Sequence, residues 1–110
     1  MFEKLNHMIL LKDVYGPLLT PKQLDIFNLY YEDDLSFAEI AAEIQISRQA
    51  VYDLIKRTEK ILLDYEAKLG LVKKLTATRQ ELEDIYNLVN IEPCDKKKVL
   101  DKINLLIESL

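Results

Sequence analysis

The chain has 110 residues and a formal net charge of −4, with 49% apolar residues but only two glycines and three prolines. This apolar content argues against a disordered chain, and so few turn-forming residues argue against an all-β fold. No run approaches the ~18 consecutive apolar residues of a membrane span, no signal peptide is apparent, and the single cysteine suits a reducing cytoplasm. The composition therefore predicts a cytoplasmic, all-α protein.

Two helices are predicted in the first third of the chain. The first runs from Phe2 to Tyr15 and ends at Gly16-Pro17, where glycine favours a left-handed cap and proline cannot continue the helix. The second begins with a capping box formed by Thr20 and Gln23. Its apolar side chains cover most of its circumference, which predicts a central helix: Leu24, Ile26, Phe27, Leu29, Tyr30 and Tyr31.

A helix-turn-helix is predicted between Ser36 and Arg57. Ser36 and Glu39 have the spacing of a second capping box, which opens a short helix over 37–44. Ala41 supplies the small residue needed where the second helix crosses the first. Gln45 occupies a turn position that commonly holds glycine, at a modest cost in strain. The shared apolar core is predicted to contain Ile40, Ile44, Ile46, Val51 and Leu54.

The second helix of this motif can begin after Ser47 and run to Leu69. Apolar residues recur along this helix at alternating spacings of four and three and form an apolar seam. The register of this seam shifts by one residue at Gly70, which indicates a hinge between two helices. One continuous helix with a stutter is the alternative. The predicted division is a helix-turn-helix domain over 1–70 and a C-terminal helical arm over 71–110. The seams of this arm are longer than a small domain can bury, which predicts a homodimer formed through the arm.

The outward face of the second helix is the candidate binding site. Arginine and glutamine there can read guanine and adenine edges, and the helix N-terminus can meet a phosphate. The candidate nucleic-acid-binding or partner-binding residues are Ser47, Arg48, Gln49, Tyr52, Asp53 and Lys56.

The charge balance weakens the case for DNA as the partner. Residues 20–63 carry five basic and eight acidic groups, and Asp53 and Glu59 are expected on the outward face itself. Because DNA affinity depends on neutralising phosphates, this balance argues against a strong stand-alone DNA-binding protein. A protein with a basic surface, or an RNA–protein particle contacted through its protein, fits the charge better.

No catalytic or metal-binding pattern is present. His7 is the only histidine, and Cys94 has neither a second cysteine nor a nearby histidine to activate it. The acidic run 32–34 is typical of a solvated helix end. The sequence therefore predicts a binding protein without enzymatic activity, metal or cofactor.

The helix-turn-helix segments resemble region 4 of bacterial sigma factors. Four segments carry a closer resemblance, which covers roughly residues 2–69: Leu29–Asp34, Glu39–Ala41, Ser47–Asp53 and Ile55–Glu59. They resemble the YlxM family of small helix-turn-helix proteins from Gram-positive bacteria, whose genes adjoin those of the signal recognition particle. This resemblance implies a regulatory role in that pathway, with the particle's protein or RNA as partner. The alternative is a sequence-specific transcription regulator that binds duplex DNA.

Overall fold

A computed structural model describes residues 2–110 of the chain, which form six α-helices and, within this range, no strand. The prediction of an all-α protein is thereby confirmed. The helices are α1 (Phe2–Tyr15), α2 (Pro21–Tyr31), α3 (Phe37–Ile44), α4 (Arg48–Leu69), α5 (Leu71–Val89) and α6 (Lys96–Ser109).

The chain divides into two compact units, the first ending at Val72 and the second covering Lys73–Leu110. In the first unit, α4 packs against α1, α2 and α3. One core cluster contains the buried residues Met8, Leu11, Tyr15, Leu19, Phe27, Leu62 and Val72. A second cluster, beneath the helix-turn-helix, contains Ile26, Ile40, Ala41, Val51 and Ile55.

The link between α1 and α2 differs from the prediction. Gly16 does not adopt the left-handed conformation; the chain continues through a short 3₁₀ turn over Gly16–Leu18 before α2 begins. Pro17 explains the difference, since its fixed φ and missing N–H suit the first position of a new helical turn. The capping box of α2 forms as expected, with Thr20 and Gln23 each accepting a hydrogen bond from the other's backbone N–H.

The break between α4 and α5 lies at Gly70, which has a φ of 61°. Two side chains satisfy the first free N–H groups of α5. The Tyr15 hydroxyl accepts from the Leu71 N–H at 3.2 Å, and the Glu66 carboxylate accepts from the Val72 N–H at 3.0 Å. Tyr15 in turn donates to Glu66 at 2.5 Å. Burial and the Glu66 carboxylate raise the pKa of Tyr15, which keeps its hydroxyl protonated.

The second unit has a small core in which α5 packs against α6. Ile85, Val99 and Leu106 are buried, with Leu88 and Ile103 partly buried beside them. Most of the apolar seam along α5 is therefore exposed to solvent. Ile85 is buried and Thr78 is half-buried, whereas four of its members are exposed: Leu71, Leu75, Leu82 and Val89.

Candidate recognition surface

The helix-turn-helix is held by caps at the start of both helices. The Ser36 Oγ accepts from the Glu39 N–H, and the Glu39 Oε1 accepts from the Ser36 N–H, both at 3.1 Å. These bonds to Ser36 lower the pKa of Glu39. The Ser47 Oγ accepts from the Ala50 N–H at 3.0 Å, which caps α4.

Between the two helices, Gln45 adopts the left-handed conformation with a φ of 58°. The Ile46 N–H then donates back to the Ala41 carbonyl, closing the turn. Of the predicted core residues, Ile40 and Val51 are fully buried, whereas the remaining three are half-buried: Ile44, Ile46 and Leu54. The sequence interpretation had not assigned Ile26 and Ile55 to this shared core.

All six candidate binding residues lie at the cap or in the first turns of α4 and are exposed: Ser47, Arg48, Gln49, Tyr52, Asp53 and Lys56. The Gln49 side-chain amide donates to Asp53 at 2.9 Å, and the Lys56 ammonium lies 5.5 Å from the centre of the Tyr52 ring. Arg48 has no ion-pair partner among residues 2–110, which leaves its guanidinium available to a ligand.

Tyr52 is fixed by a series of aromatic contacts that begins in the core. Phe27 stacks on Tyr31, Tyr31 meets Tyr30 edge to face, and Tyr30 stacks on Phe37, with centroid distances between 4.5 and 5.0 Å. Phe37 then contacts the ring of Tyr52 edge to face at 5.6 Å. The exposed ring of Tyr52 is therefore held in place before any partner arrives, so its binding costs little conformational entropy. Sequence reasoning placed Phe27, Tyr30 and Tyr31 on a central helix and Tyr52 on the outward face, and missed that ring contacts connect them.

Glu59 does not lie on the outward face, contrary to expectation. It is buried, and its carboxylate accepts from the Tyr31 hydroxyl at 3.1 Å and from Lys56 at 3.3 Å, with Lys4 at 3.8 Å. The bond to Glu59 raises the pKa of Lys56, and burial beside Glu59 raises the pKa of Tyr31. The outward face is thus less acidic than the sequence indicated, but the Lys56 ammonium is already bonded to Glu59.

Beside this network lies an open cleft of about 280 Å³, lined by Lys4, Leu5, Tyr30, Tyr31 and Asp34. In the part of the chain that the structure describes, no group of three or more histidine, cysteine or acidic residues is placed to hold a metal ion. None of the helices described is both long and apolar enough to cross a bilayer.

The first unit as a whole is acidic. From the sequence, it carries eight basic and twelve acidic side chains, a formal net charge of −4, whereas the second unit carries seven of each. Arg48 and Lys56 therefore lie on a unit that is acidic overall.

Comparison with known proteins identifies the family. Residues 2–106 match UPF0122, described as "Putative helix-turn-helix protein, YlxM / p13 like". The chain belongs to the UPF0122 family. Its resemblance to YlxM proteins is thereby confirmed, and the family match extends through α5 and most of α6, well beyond the residues that carried the resemblance.

UPF0122 proteins of several Gram-positive bacteria are similar over nearly their whole length. One from Streptococcus suis is 48% identical over 97 residues, covering 88% of this chain and 86% of the relative. One from Geobacillus is 44% identical over 108 residues, covering 98% of each chain. One from Listeria monocytogenes is 48% identical over 102 residues, covering 93% of this chain and 88% of the relative. The α5–α6 unit is therefore part of the similarity.

Proposed function

We propose that this UPF0122 protein is a regulatory recognition protein of the signal recognition particle pathway that binds the protein component of the particle. The observation that carries the proposal is the exposed first half of α4, with Tyr52 in contact with Phe37, on a unit with a formal net charge of −4. Such a unit favours a basic protein surface over bare nucleic acid, because phosphates would meet a net negative field. The choice of pathway rests on the resemblance to the YlxM family. In this role the protein acts in the cytoplasm and needs no cofactor.

Tyr52 and Arg48 are the proposed anchors of the interaction. Aromatic and arginine side chains dominate the energetics of protein interfaces, particularly when they are held in place beforehand. Tyr52 is held by Phe37, and Arg48 projects from the first turn of α4. Asp53 and Gln49, which pair with each other, would form the polar rim.

The test is a binding titration of the full chain against four probes: the particle's protein, its RNA, the assembled particle and a random DNA duplex. Binding is expected for the protein and the assembled particle. Tyr52→Ala and Arg48→Ala should each weaken it by about tenfold or more, equivalent to roughly 1.4 kcal/mol. Lys68→Ala, an exposed change at the far end of α4, is the matched control and should have no effect.

Absence of binding to the particle's protein would overturn this proposal, as would binding that neither anchor substitution weakens. Binding to the RNA alone would assign the surface to RNA instead.

A second candidate function is sequence-specific binding of duplex DNA. It is favoured by the exposed Arg48 and Gln49 at the N-terminus of α4, where base contacts of helix-turn-helix proteins cluster. Selection from random duplexes should then enrich one sequence, and Arg48→Ala with Lys56→Ala should abolish its binding. A selection that enriches nothing would contradict this function.

A further inference from the structure

The second unit buries few apolar side chains for its length. It comprises Lys73–Leu110, and its buried side chains are limited to Ile85, Val99 and Leu106. Units below about 40 residues usually need a metal, disulfides or association to stay folded. Many large apolar side chains of this unit are instead exposed: Leu75, Leu82, Tyr86 and Val89 on α5, Leu100, Leu105 and Ile107 on α6, and Leu110 after it.

The exposed large apolar residues of α5 in this unit form one stripe along the helix. Leu75, Leu82, Tyr86 and Val89 are separated by seven, four and three residues, a spacing that places them on one face of an α-helix. Leu75 is 57% exposed and Tyr86 is 69% exposed. We call this face the α5 stripe. Ile85 borders it and, with Leu88, packs toward α6 instead.

The charges of α5 are divided between its two halves. Residues 71–80 contain Lys73, Lys74 and Arg79 and no acidic group, whereas residues 81–90 contain Glu81, Glu83 and Asp84 and no basic group. Two copies of α5 aligned in parallel would place like charges side by side. An antiparallel pair would place the basic half of each copy beside the acidic half of the other, and would also oppose the helix dipoles favourably.

From this complementarity we propose that two copies of the chain associate through an antiparallel, two-fold symmetric pairing of their α5 stripes. This interaction is separate from the proposed partner binding at α4. With the two-fold axis near residues 80 and 81, Leu75 of one copy meets Tyr86 of the other, since the two positions are equally distant from the axis. Arg79, which pairs with Glu83 of its own helix at 3.4 Å, lies on the same flank of the stripe and reaches Glu83 of the second copy.

The first test is the mass of the full chain in solution. Sedimentation or light scattering at micromolar concentrations should give twice 12.9 kDa. Leu82→Glu, at a position 52% exposed, should give a monomer that keeps the helical signal of the first unit by circular dichroism. The matched control is Leu63→Glu on α4, at a position 45% exposed, which should stay dimeric. A monomeric parent chain, or a dimer that Leu82→Glu leaves intact, would overturn the proposal.

The second test asks whether the two α5 helices run antiparallel or parallel. Arg79→Glu and Glu83→Arg should each weaken the dimer, because each places like charges across the pair, and combining them should restore it. Spin labels on Cys94, the exposed single cysteine, give the geometry directly. Antiparallel α5 helices hold the two Val89 positions about 25 Å apart along the axis, at 1.5 Å per residue, and Cys94 follows each of these ends, so the two labels should be far apart. A short distance between labels, as in a parallel pair, would overturn the antiparallel assignment.

Discussion

At the scale of single residues, the buried Glu59 carboxylate is the shared partner of polar groups from three helices. Its carboxylate receives hydrogen bonds from Tyr31 and Lys56 and lies within 3.8 Å of Lys4. Buried carboxylates are stable only when they are well paired, and removing one leaves its donors without a partner. One side chain thereby links α1, α2 and α4.

Replacing Glu59 with alanine should therefore destabilise the protein. We expect a loss of about 1–3 kcal/mol in the free energy of unfolding, since the half-buried Tyr31 hydroxyl loses its acceptor. Urea denaturation measures this loss. Glu43→Ala, which removes an exposed carboxylate from α3, should change the stability by less than about 0.5 kcal/mol. Equal effects of the two substitutions would contradict the role assigned to Glu59.

The capping box of α3 predicts that part of the protein's stability depends on pH. The folded protein lowers the pKa of Glu39 below its ordinary value of 4.5, so the ionised group stabilises the fold above that value. This contribution is lost as the pH falls through the lowered pKa. The Tm advantage of the parent chain over Glu39→Gln should accordingly be largest near neutral pH and shrink below about pH 4.5. An advantage that is independent of pH would show that the charge of Glu39 does not matter.

At the scale of helices, the boundaries followed from local chemistry and were largely predictable. Thr20, Ser36 and Ser47 each cap the helix that the sequence assigned to them, and Asp95 caps α6 in the same way. Caps depend on neighbouring residues, so the sequence alone contains the necessary information. The burial of Glu59 was not predictable in this way, because it depends on Tyr31 and Lys4 arriving from distant parts of the chain. The same holds for the aromatic path to Tyr52.

The two glycines provide a matched test of helix ends. Gly70 has a φ of 61°, and a Cβ added there would meet no atom within 4 Å, so Gly70→Ala should cost about 1–2 kcal/mol through backbone conformation alone. Gly16 lacks a positive φ, and an added Cβ would lie 3.5 Å from Leu24, an ordinary contact. Gly16→Ala should be neutral or slightly stabilising. Thermal unfolding of both variants measures the difference, and a larger loss for Gly16→Ala would contradict it.

At the scale of the whole molecule, the two units differ in how they are stabilised. The first unit buries two clusters of apolar side chains, whereas the second has one small cluster and more large apolar side chains that are exposed. The sequence indicated the excess of apolar seams in the arm, because seam length is visible without a structure. It did not reveal which face of α5 packs on α6, since Ile85 and Leu82 are equally apolar and only their placement distinguishes them.

If the second unit is completed by a second copy, its stability should depend on concentration. We expect the unfolding temperature to rise over about a hundredfold increase in protein concentration, as mass action requires for a folded dimer. Circular dichroism at several concentrations measures this rise. The Leu82→Glu variant should show no such dependence. A parent chain whose unfolding temperature is constant would argue against coupling between folding and association.

Because its tyrosines are distributed unevenly, the two units of this protein can be followed by separate measurements. The chain has no tryptophan and six tyrosines. Five of these have ring contacts within the first unit: Tyr15, Tyr30, Tyr31, Tyr52 and Tyr65. Tyr86 belongs to the second unit and is exposed. Near-ultraviolet dichroism will therefore report chiefly on the packing of the first unit, while the rate of chemical nitration at Tyr86 will report on the second, without any added label.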